Sequence, residues 1–505
     1  MISVQKKLAN SLSVLMKLQN QDGLAVIKSS EISRTHLERL VSHGFLQEVM
    51  RGWYISSRPD SLPGDTTNWY TSYWYFISEY ATSRFGSDWS LSPEQSLSFY
   101  SGNKVVPEQI IIRSPKASNN TVQLMHNTQL LDIKASAATT VYKEPQFGLN
   151  LYSLSESLIE CSPDYYRLDS VTARTCLAMV QDVSDILKLL TDRGQTTKGA
   201  RLSGAFRNIG NSDAANEIVN TMKGLGYDIR EEDPFVEQIK LTNLSSQSPY
   251  VIRLRLMWKK MREVVVKCFP KANSLHHDVE KYLKEIESQY QLDAYHSLSI
   301  EGFKVTDNLI EKVKKGGWKP DIDLTDAEQF NALAARGYWQ SFQVVKESVR
   351  KILKGDNPGD VVDNDHRIWY NELFSPSVTA GLLKPSDLVG YRSNQVFIRG
   401  SMHTPFSPEA VRDTIPTLFE LLKNEPEASV RAVLGHFVFV YIHPYMDGNG
   451  RIARFLMNTM LISGGYDWTI IHVDKRRQYM EALEQASVYE NIQPFAEFIA
   501  EAVRK

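Results

Sequence analysis

The twelve residues from His443 to Arg454 constrain this chain more than any other stretch; they read His-Pro-Tyr-Met-Asp-Gly-Asn-Gly-Arg-Ile-Ala-Arg. Gly448 and Gly450 permit backbone angles that other residues avoid, so main-chain N–H groups can approach a ligand closely there. The stretch that begins at Arg451 has the composition of a helix. Because the N–H groups of a helix's first turn favour an anion, the loop predicts a phosphate site.

Side chains of three kinds extend this site. Arg454 lies one turn beyond Arg451 on nearly the same helix face, so both guanidiniums can converge on phosphate oxygens. Asp447 offers the carboxylate oxygen that Mg²⁺ prefers. His443 is a candidate base, since imidazole titrates near neutral pH. Together these residues predict a site for a nucleotide and its magnesium ion.

Two other kinds of glycine-rich site, a calcium loop and a dinucleotide-binding turn, have sequence patterns similar to this one. A calcium loop fails, because Arg451 and Ile452 stand where that pattern requires an oxygen ligand and then a glycine. A dinucleotide fingerprint fits loosely through Ala453, three residues after the second glycine. However, five residues separate the apolar run 437–442 from the first glycine, where that fingerprint requires a tight turn. The phosphate site with its base is therefore the stronger interpretation.

The twelve residues resemble the active-site motif of Fic-domain proteins, H-P-F-x-[D/E]-G-N-G-R-x-x-R, with Tyr445 in place of the usual Phe. The resemblance implies a helical bundle and a nucleotidyltransferase that moves AMP from Mg·ATP to a Ser, Thr or Tyr hydroxyl of a target protein. It implies that His443 is the general base and that Asp447 binds Mg²⁺. The residues implied to contact the nucleotide are Gly448, Asn449, Gly450, Arg451, Arg454, Asn458 and Tyr479.

A second pattern lies about 150 residues upstream, at Ser297, Glu301 and Gly302. Alone, these residues indicate no more than a helix cap or a solvated helix face. Beside the first motif they resemble the inhibitory helix of Fic proteins, [S/T]-x-x-x-E-[G/N], in the class where this helix precedes the catalytic core. The resemblance implies autoinhibition: Glu301 pairs with Arg454, so that guanidinium cannot hold the γ-phosphate.

The third feature is a short β-prone run, Val396, Phe397 and Ile398, between turn residues. The resemblance implies a β-hairpin flap, whose edge pairs with an extended target segment. An ordinary surface hairpin is the alternative.

The first 60 residues have a different character. A helix over Val4 to Leu18, a second between Ser30 and Gly44 and two strands around Arg51-Gly52 suggest a winged helix. This region also resembles the winged-helix head of abortive-infection type antitoxins, with weaker similarity continuing to about residue 207. Its exposed cations are predicted to contact DNA, with a protein partner as the alternative; they are Arg34, Arg39, Arg51 and Arg58.

The chain is therefore expected to be mainly α, with a winged-helix-like domain at 1–60, an α+β antitoxin-like region at 61–240 and the Fic region at 241–505. Its 505 residues carry a net charge of −2, three cysteines and no long apolar run, which favours a cytoplasmic protein without a membrane span. A homodimer is compatible with this organisation. Removal of AMP or another phosphoryl transfer at the same site remains an alternative activity, as does a nucleotide-sensing DNA-binding regulator without catalysis.

Overall fold

The computed structural model describes residues 4–19, 23–59, 65–239, 247–272, 278–316 and 326–504. They fall into two compact units, an N-terminal one of Met1–Arg253 with Phe397–Thr404, and a C-terminal one of Leu254–Val396 with Pro405–Lys505. The boundary expected between residues 240 and 241 lies outside the described residues. Within them, no helix is both long and apolar enough to span a bilayer.

The N-terminal unit begins with two helices and a three-stranded antiparallel sheet in which β3 is central. These elements are α1 (Val4–Leu18), β1 (Val26–Lys28), α2 (Arg34–Ser42), β2 (Leu46–Met50) and β3 (Trp53–Ser56). Ser33 caps α2 by accepting the N–H of His36, and Gly44 follows the helix with a φ of 74°. Buried Leu15, Leu37 and Leu40 form the core beneath the sheet.

Both helices and both strands predicted for this region are present, and β1 is an additional strand. The Nη1 of Arg39 donates to the carbonyl of Lys7 at 3.2 Å and to Ser11 Oγ at 2.8 Å. Its guanidinium therefore joins α2 to α1. Arg34 is exposed and pairs with Glu38. The winged-helix assignment and the DNA contact stay predictions.

The rest of this unit is α+β. It contains α3 (Thr67–Phe85), β4 (Ser90–Leu91), α4 (Pro93–Tyr100), β5 (Gln109–Ser114), β6 (Thr121–Gln123), β7 (Gln129–Lys134), β8 (Val141–Lys143), β9 (Asn150–Tyr152), α5 (Leu154–Glu160), α6 (Tyr165–Leu168), α7 (Ser170–Met179), α8 (Ser184–Asp192), α9 (Thr196–Asn208) and α10 (Ser212–Gly224). One sheet has the order β4-β5-β7-β6, with β5 and β7 parallel, and β8 pairs with β9.

An aromatic core built on α3 connects the first 60 residues to this region. Trp69, Trp74 and Trp89 are fully buried in it, and Ile55 of β3 belongs to the same cluster, with Trp53 packed against it. The boundary expected near residue 60 therefore does not separate two units, because β3 contributes side chains to the core that follows it.

The C-terminal unit is helical. Its helices are α11 (Pro249–Cys268, which spans the unit boundary), α12 (Val279–Ile300), α13 (Asp307–Lys314), α14 (Asp326–Leu353), α15 (Pro358–Thr379), α16 (Pro408–Asn424), α17 (Ala428–Ile442), α18 (Asn449–Ile462), α19 (Arg476–Tyr489) and α20 (Gln493–Val503), with short 3-10 turns at Pro385–Leu388 and Val473–Lys475. The helix α17 is almost wholly apolar and is buried along nearly its whole length. It packs against α18, and α12 and α15 both pack against α14. The twelve-residue motif thus occupies the loop between α17 and α18 and the first turns of α18.

The β-hairpin expected around Val396–Ile398 is not formed, because the described loop between α15 and α16 contains no strand. Side chains close this loop instead. Arg392 donates to the carbonyl of Phe406, and Gln395 Nε2 donates to the carbonyl of Pro405 at 2.9 Å. These side-chain hydrogen bonds join the two arms of the loop without strand pairing.

Candidate active site

The loop between α17 and α18 contains two residues with left-handed backbone angles, His443 and Gly448. His443 follows α17 with φ 55° and ψ 62°, and its N–H donates to the carbonyl of Phe439 at 3.0 Å. Gly448 precedes α18 with a φ of 81°, and a Cβ there would lie 2.8 Å from the ring of Phe374. Conformation and space both require glycine at 448. At His443 the same conformation is uncommon for a residue with a side chain, so the surroundings must stabilise it.

Asn449 closes this loop. Its Oδ1 accepts the N–H of Tyr445 at 2.9 Å, and its Nδ2 donates to the carbonyl of Tyr445 at 2.8 Å. The amide is buried and committed to the loop, so it is not the part of Asn449 that could bind an anion. That role falls to the backbone N–H groups of Asn449, Gly450 and Arg451, which begin α18 and have no acceptor within the helix.

The imidazole of His443 is held in one tautomer. Its Nδ1 lies 3.2 Å from the carbonyl of Val440 and donates to it, which leaves Nε2 with a free lone pair. Burial lowers the pKa of His443 to about 4, and the charge of Arg392 acts in the same direction. The bond to Val440 and the charges of Glu301 and Asp447 only partly oppose this shift. The ring is therefore neutral at pH 7 and can accept a proton at Nε2.

Arg451 and Asp447 form an ion pair at the loop, in which Arg451 is buried and Asp447 is exposed. The guanidinium of Arg451 lies between the rings of Phe303 and Phe374, 5.2 Å from each centroid, and donates to Asp447 Oδ2 at 3.1 Å. The side chain of Asp447 is 63% exposed, so its carboxylate can reach a cation in solvent. The described residues contain no group of three or more His, Cys, Asp or Glu suited to a metal. The exposed carboxylate of Asp447 is the kind of ligand that Mg²⁺ takes from a protein, with phosphate and water completing its shell.

Arg454 is buried and engaged with α12. Its Nε donates to Ser297 Oγ at 2.9 Å, and its Nη2 donates to the Ser297 carbonyl at 3.0 Å and to Glu301 Oε1 at 2.7 Å. Burial alone would lower the pKa of Arg454, but the charge of Glu301 and the nearby tyrosine hydroxyls outweigh it and raise the pKa. The structure thus brings together the residues of the two sequence patterns, which lie more than 150 positions apart.

Glu301 also lies over the first turn of α18. It follows the last residue of α12, and Gly302, with a φ of 93°, ends that helix. A Cβ on Gly450 would collide with Glu301 Oε1. The carboxylate therefore lies beside the N–H groups that are predicted to bind phosphate. It also accepts a hydrogen bond from the guanidinium of Arg454.

Asn458 and Tyr479, which the resemblance places near the sugar and base, are occupied within the protein. Asn458 exchanges two hydrogen bonds with the backbone of Thr469, at 2.7 and 3.0 Å. The hydroxyl of Tyr479 lies 2.8 Å from His436 Nε2, and both side chains are buried. Their contact with a nucleotide stays a prediction. His436 is a core residue, and burial lowers its pKa to about 3.

Two residues near the site were not identified from the sequence. Asp293 is buried, accepts the hydroxyl of Tyr338 at 2.7 Å, and has a pKa that burial raises to about 6. It precedes Ser297 by one helical turn, so helical spacing from that serine was the signal that could have found it. Arg392 donates from Nε to the carbonyl of His443 at 2.8 Å. No local pattern connects this arginine to the histidine 51 residues later.

The proposed flap residues are divided between the units. Val396 belongs to the C-terminal unit, whereas Phe397 and Ile398 begin the segment 397–404 of the N-terminal unit. All three side chains are partly exposed. Their role in binding a target stays a prediction.

Comparison with known proteins supports the catalytic interpretation of the motif. Residues 365–461 match the model of the Fic/DOC family. A protein named protein adenylyltransferase Fic, from Nematostella vectensis, is 29% identical over 226 residues, which are 44% of this chain and 49% of that protein. Protein adenylyltransferase fic-1 of Caenorhabditis elegans is 24% identical over 56% of this chain and 52% of its own length. The chain spans about half the length of these curated relatives.

A solved structure described as Fic-1 (aa134 - 508) from C. elegans is also similar. It is 18% identical, with a TM-score of 0.37, and the match covers 66% of this chain and 89% of that one. A further relative, protein adenylyltransferase Fic of Drosophila willistoni, is 36% identical over 129 residues, a quarter of each chain.

Proposed function

We propose, from the Fic domain that residues 365–461 carry, that this protein is an adenylyltransferase that moves AMP from Mg·ATP to a Ser, Thr or Tyr hydroxyl of a target protein. One observation carries the proposal. The imidazole of His443 is neutral and its Nε2 can accept a proton. His443 lies in the loop before α18, whose first-turn N–H groups and two arginines can bind a polyphosphate. The names of the relatives from N. vectensis and C. elegans support the same activity.

The residues have separable roles in this reaction. The N–H groups at the start of α18 and the guanidinium of Arg451 bind the α- and β-phosphates, and Arg454 binds the γ-phosphate once Glu301 has left it. Asp447 would hold Mg²⁺, which supplies charge neutralisation between the phosphates. His443 Nε2 removes the proton of the target hydroxyl. That oxygen forms a bond to the α-phosphorus as the bond to the bridging oxygen breaks, and pyrophosphate leaves.

The resting protein is autoinhibited in this proposal. Glu301 neutralises Arg454 and lies over Gly450, so the triphosphate loses both a cationic partner and space. Because a reacting group misplaced by about 1 Å can lose a hundredfold in rate, even ATP that binds beside Glu301 would react slowly.

Labelling with ATP that carries a radioactive α-phosphate tests the activity. Cell lysate is incubated with Glu301→Gly, with Glu301→Gly/His443→Ala and with wild type. We expect Glu301→Gly to label protein bands far more strongly than wild type or the double variant does. If the double variant labels as fast as the single one, His443 is not the base and the proposed reaction is wrong.

A second activity at the same site is removal of AMP, with Glu301 orienting a water molecule. It is favoured by the position of the Glu301 carboxylate, which is 27% exposed and faces the first turn of α18. Mass spectrometry of the target distinguishes the two directions, since transfer adds the mass of AMP and removal loses it. A gain of phosphate alone would indicate phosphoryl transfer.

The N-terminal region is proposed to supply a DNA or protein contact. Its exposed Arg34 lies on α2, whereas Arg39 is committed to α1. If α2 contacts DNA, Arg34→Ala should weaken retention of DNA and reduce its salt slope by about 1. Unchanged, salt-insensitive retention would leave a protein partner, and a homodimer is one such arrangement. Nucleotide-dependent DNA binding that survives His443→Ala would support the regulator without catalysis.

A cytoplasmic location is proposed on the cysteines. Cys161, Cys176 and Cys268 are free thiols, and the first two are buried. Unpaired thiols are typical of proteins in a reducing compartment.

A further inference from the structure

The contacts of Arg392 extend beyond its own loop. Its side chain is buried and donates from Nε to the carbonyl of His443 at 2.8 Å, while its backbone N–H donates to the carbonyl of Pro444 at 2.9 Å. Nη1 donates to the carbonyl of Asn394 at 2.9 Å, and Nη2 donates to the carbonyl of Phe406. One residue thus connects the motif to both arms of the loop between α15 and α16.

These hydrogen bonds hold the strained backbone of His443. His443 has left-handed backbone angles, which are unfavourable for a residue with a side chain unless its surroundings hold it. The bond to Phe439 fixes its N–H, and Arg392 fixes its carbonyl and the next one. The direction of the imidazole follows from this backbone. Without Arg392, the bonds to Phe439 and Val440 would remain, and the carbonyl of His443 would lose its donor from Arg392.

The charge of Arg392 has a separate effect on the same ring. Three charged groups act on His443: Arg392 disfavours its protonation, whereas Glu301 and Asp447 favour it. Of these, Arg392 is the one that keeps the imidazole neutral. A lysine at 392 would retain this charge but could not make the bonds of a planar guanidinium, so geometry and charge can be tested separately.

We propose that Arg392 is a positioning residue for the general base: it holds His443 and couples the orientation of the imidazole to the loop that carries Val396. The proposal rests on the proposed function, because it takes His443 as the base. It also gives that loop a role without strand pairing. A target that shifts the arms at Asn394 or Phe406 displaces the guanidinium, which in turn moves His443.

The test uses Arg392→Lys and Arg392→Gln in the full-length Glu301→Gly background. Arg431→Lys is the matched control, because Arg431 is also buried and donates to two backbone carbonyls, of Glu425 and Pro426, at the other end of α17. We expect both Arg392 variants to lower kcat roughly tenfold to a hundredfold with little change in the KM for ATP. Only Arg392→Gln should move the acid limb of the pH–kcat profile to higher pH.

A measurement without turnover completes the test. The NMR signal of His443 in protein with ¹³C-labelled histidine, identified by its loss in His443→Ala, is titrated with pH. Its midpoint should rise in Arg392→Gln and stay near that of the Glu301→Gly parent in Arg392→Lys. If the midpoint does not move in Arg392→Gln, and kcat falls no more than in Arg431→Lys, Arg392 is merely structural and the proposal is wrong. If the parent itself transfers no AMP, the proposed function fails, and the NMR titration still decides whether Arg392 controls His443.

Discussion

Replacing Glu301 with glutamine isolates the charge of the inhibitory contact. Glutamine keeps the volume of the side chain beside Gly450 and can still accept a bond from Arg454, so only the negative charge is lost. A hydrogen bond between charged partners contributes about 1.5–3 kcal/mol and one between neutral partners about 0.5–1.5 kcal/mol, so the charge itself accounts for about 1–1.5 kcal/mol. Because the Glu301 side chain is 27% exposed and solvent screens the pair, we take the lower end, about 1 kcal/mol. This corresponds to ATP binding that is roughly five times tighter than in wild type.

Isothermal calorimetry with Mg·ATP on wild type, Glu301→Gln and Glu301→Gly measures this directly. The glycine variant should bind more tightly still, because it also vacates the space over Gly450. Arg454→Ala in the Glu301→Gln background should return the affinity toward that of wild type, since the guanidinium freed by the first change is then absent.

The pattern of affinities separates the causes. If Glu301→Gln binds ATP as weakly as wild type while Glu301→Gly binds tightly, the glutamate blocks the site by its volume and the electrostatic reasoning is refuted. If neither variant gains affinity, the contact between Glu301 and Arg454 does not compete with nucleotide at all.

Two further predictions concern buried polar groups near the site. Asn458→Ala leaves the backbone of Thr469 without its partners, so urea denaturation should show a loss of about 2–3 kcal/mol in unfolding free energy; ATP affinity should be unchanged, and a large loss of affinity would instead indicate contact with the nucleotide. The pKa of Asp293 is about 6, above its usual 3.8, so the folded state loses stability as pH rises through that range. Asp293→Asn should therefore unfold like wild type near pH 4 and become the more stable protein by up to about 3 kcal/mol above pH 6, and a constant difference across this range in thermal melts would contradict the assignment.

The sequence predicted those parts of the site whose geometry is local. The left-handed turn at Gly448 and the helix that begins after it follow from residue types that are adjacent in the chain. The contact between Glu301 and Arg454 joins residues 153 positions apart, and it was expected only because both patterns resembled one family.

Other features of the site depend on contacts between residues that are distant in the chain, and local sequence does not predict them. Val396–Ile398 has the composition of a strand, but in the structure the side chains of Arg392 and Gln395, and not a strand ladder, join the two arms of its loop. Asn458 has a side chain suited to a ligand, and in the structure it exchanges two hydrogen bonds with the backbone of Thr469, while its contact with a nucleotide stays a prediction. Propensity and motif position cannot reveal such contacts, because the partners come from other parts of the fold.

The contacts of the two key side chains indicate which step the inhibitory helix controls. His443 is held by Phe439, Val440 and Arg392, and none of these residues belongs to α12. Arg454, in contrast, gives its hydrogen bonds to Ser297 and Glu301 at the end of α12. Displacement of α12 would therefore free the phosphate site and leave the base in place. Since the charge of Glu301 favours protonation of His443, its departure would also keep the imidazole neutral. In the proposed autoinhibition, α12 should then act on the binding and pose of ATP, and not on the alignment of His443.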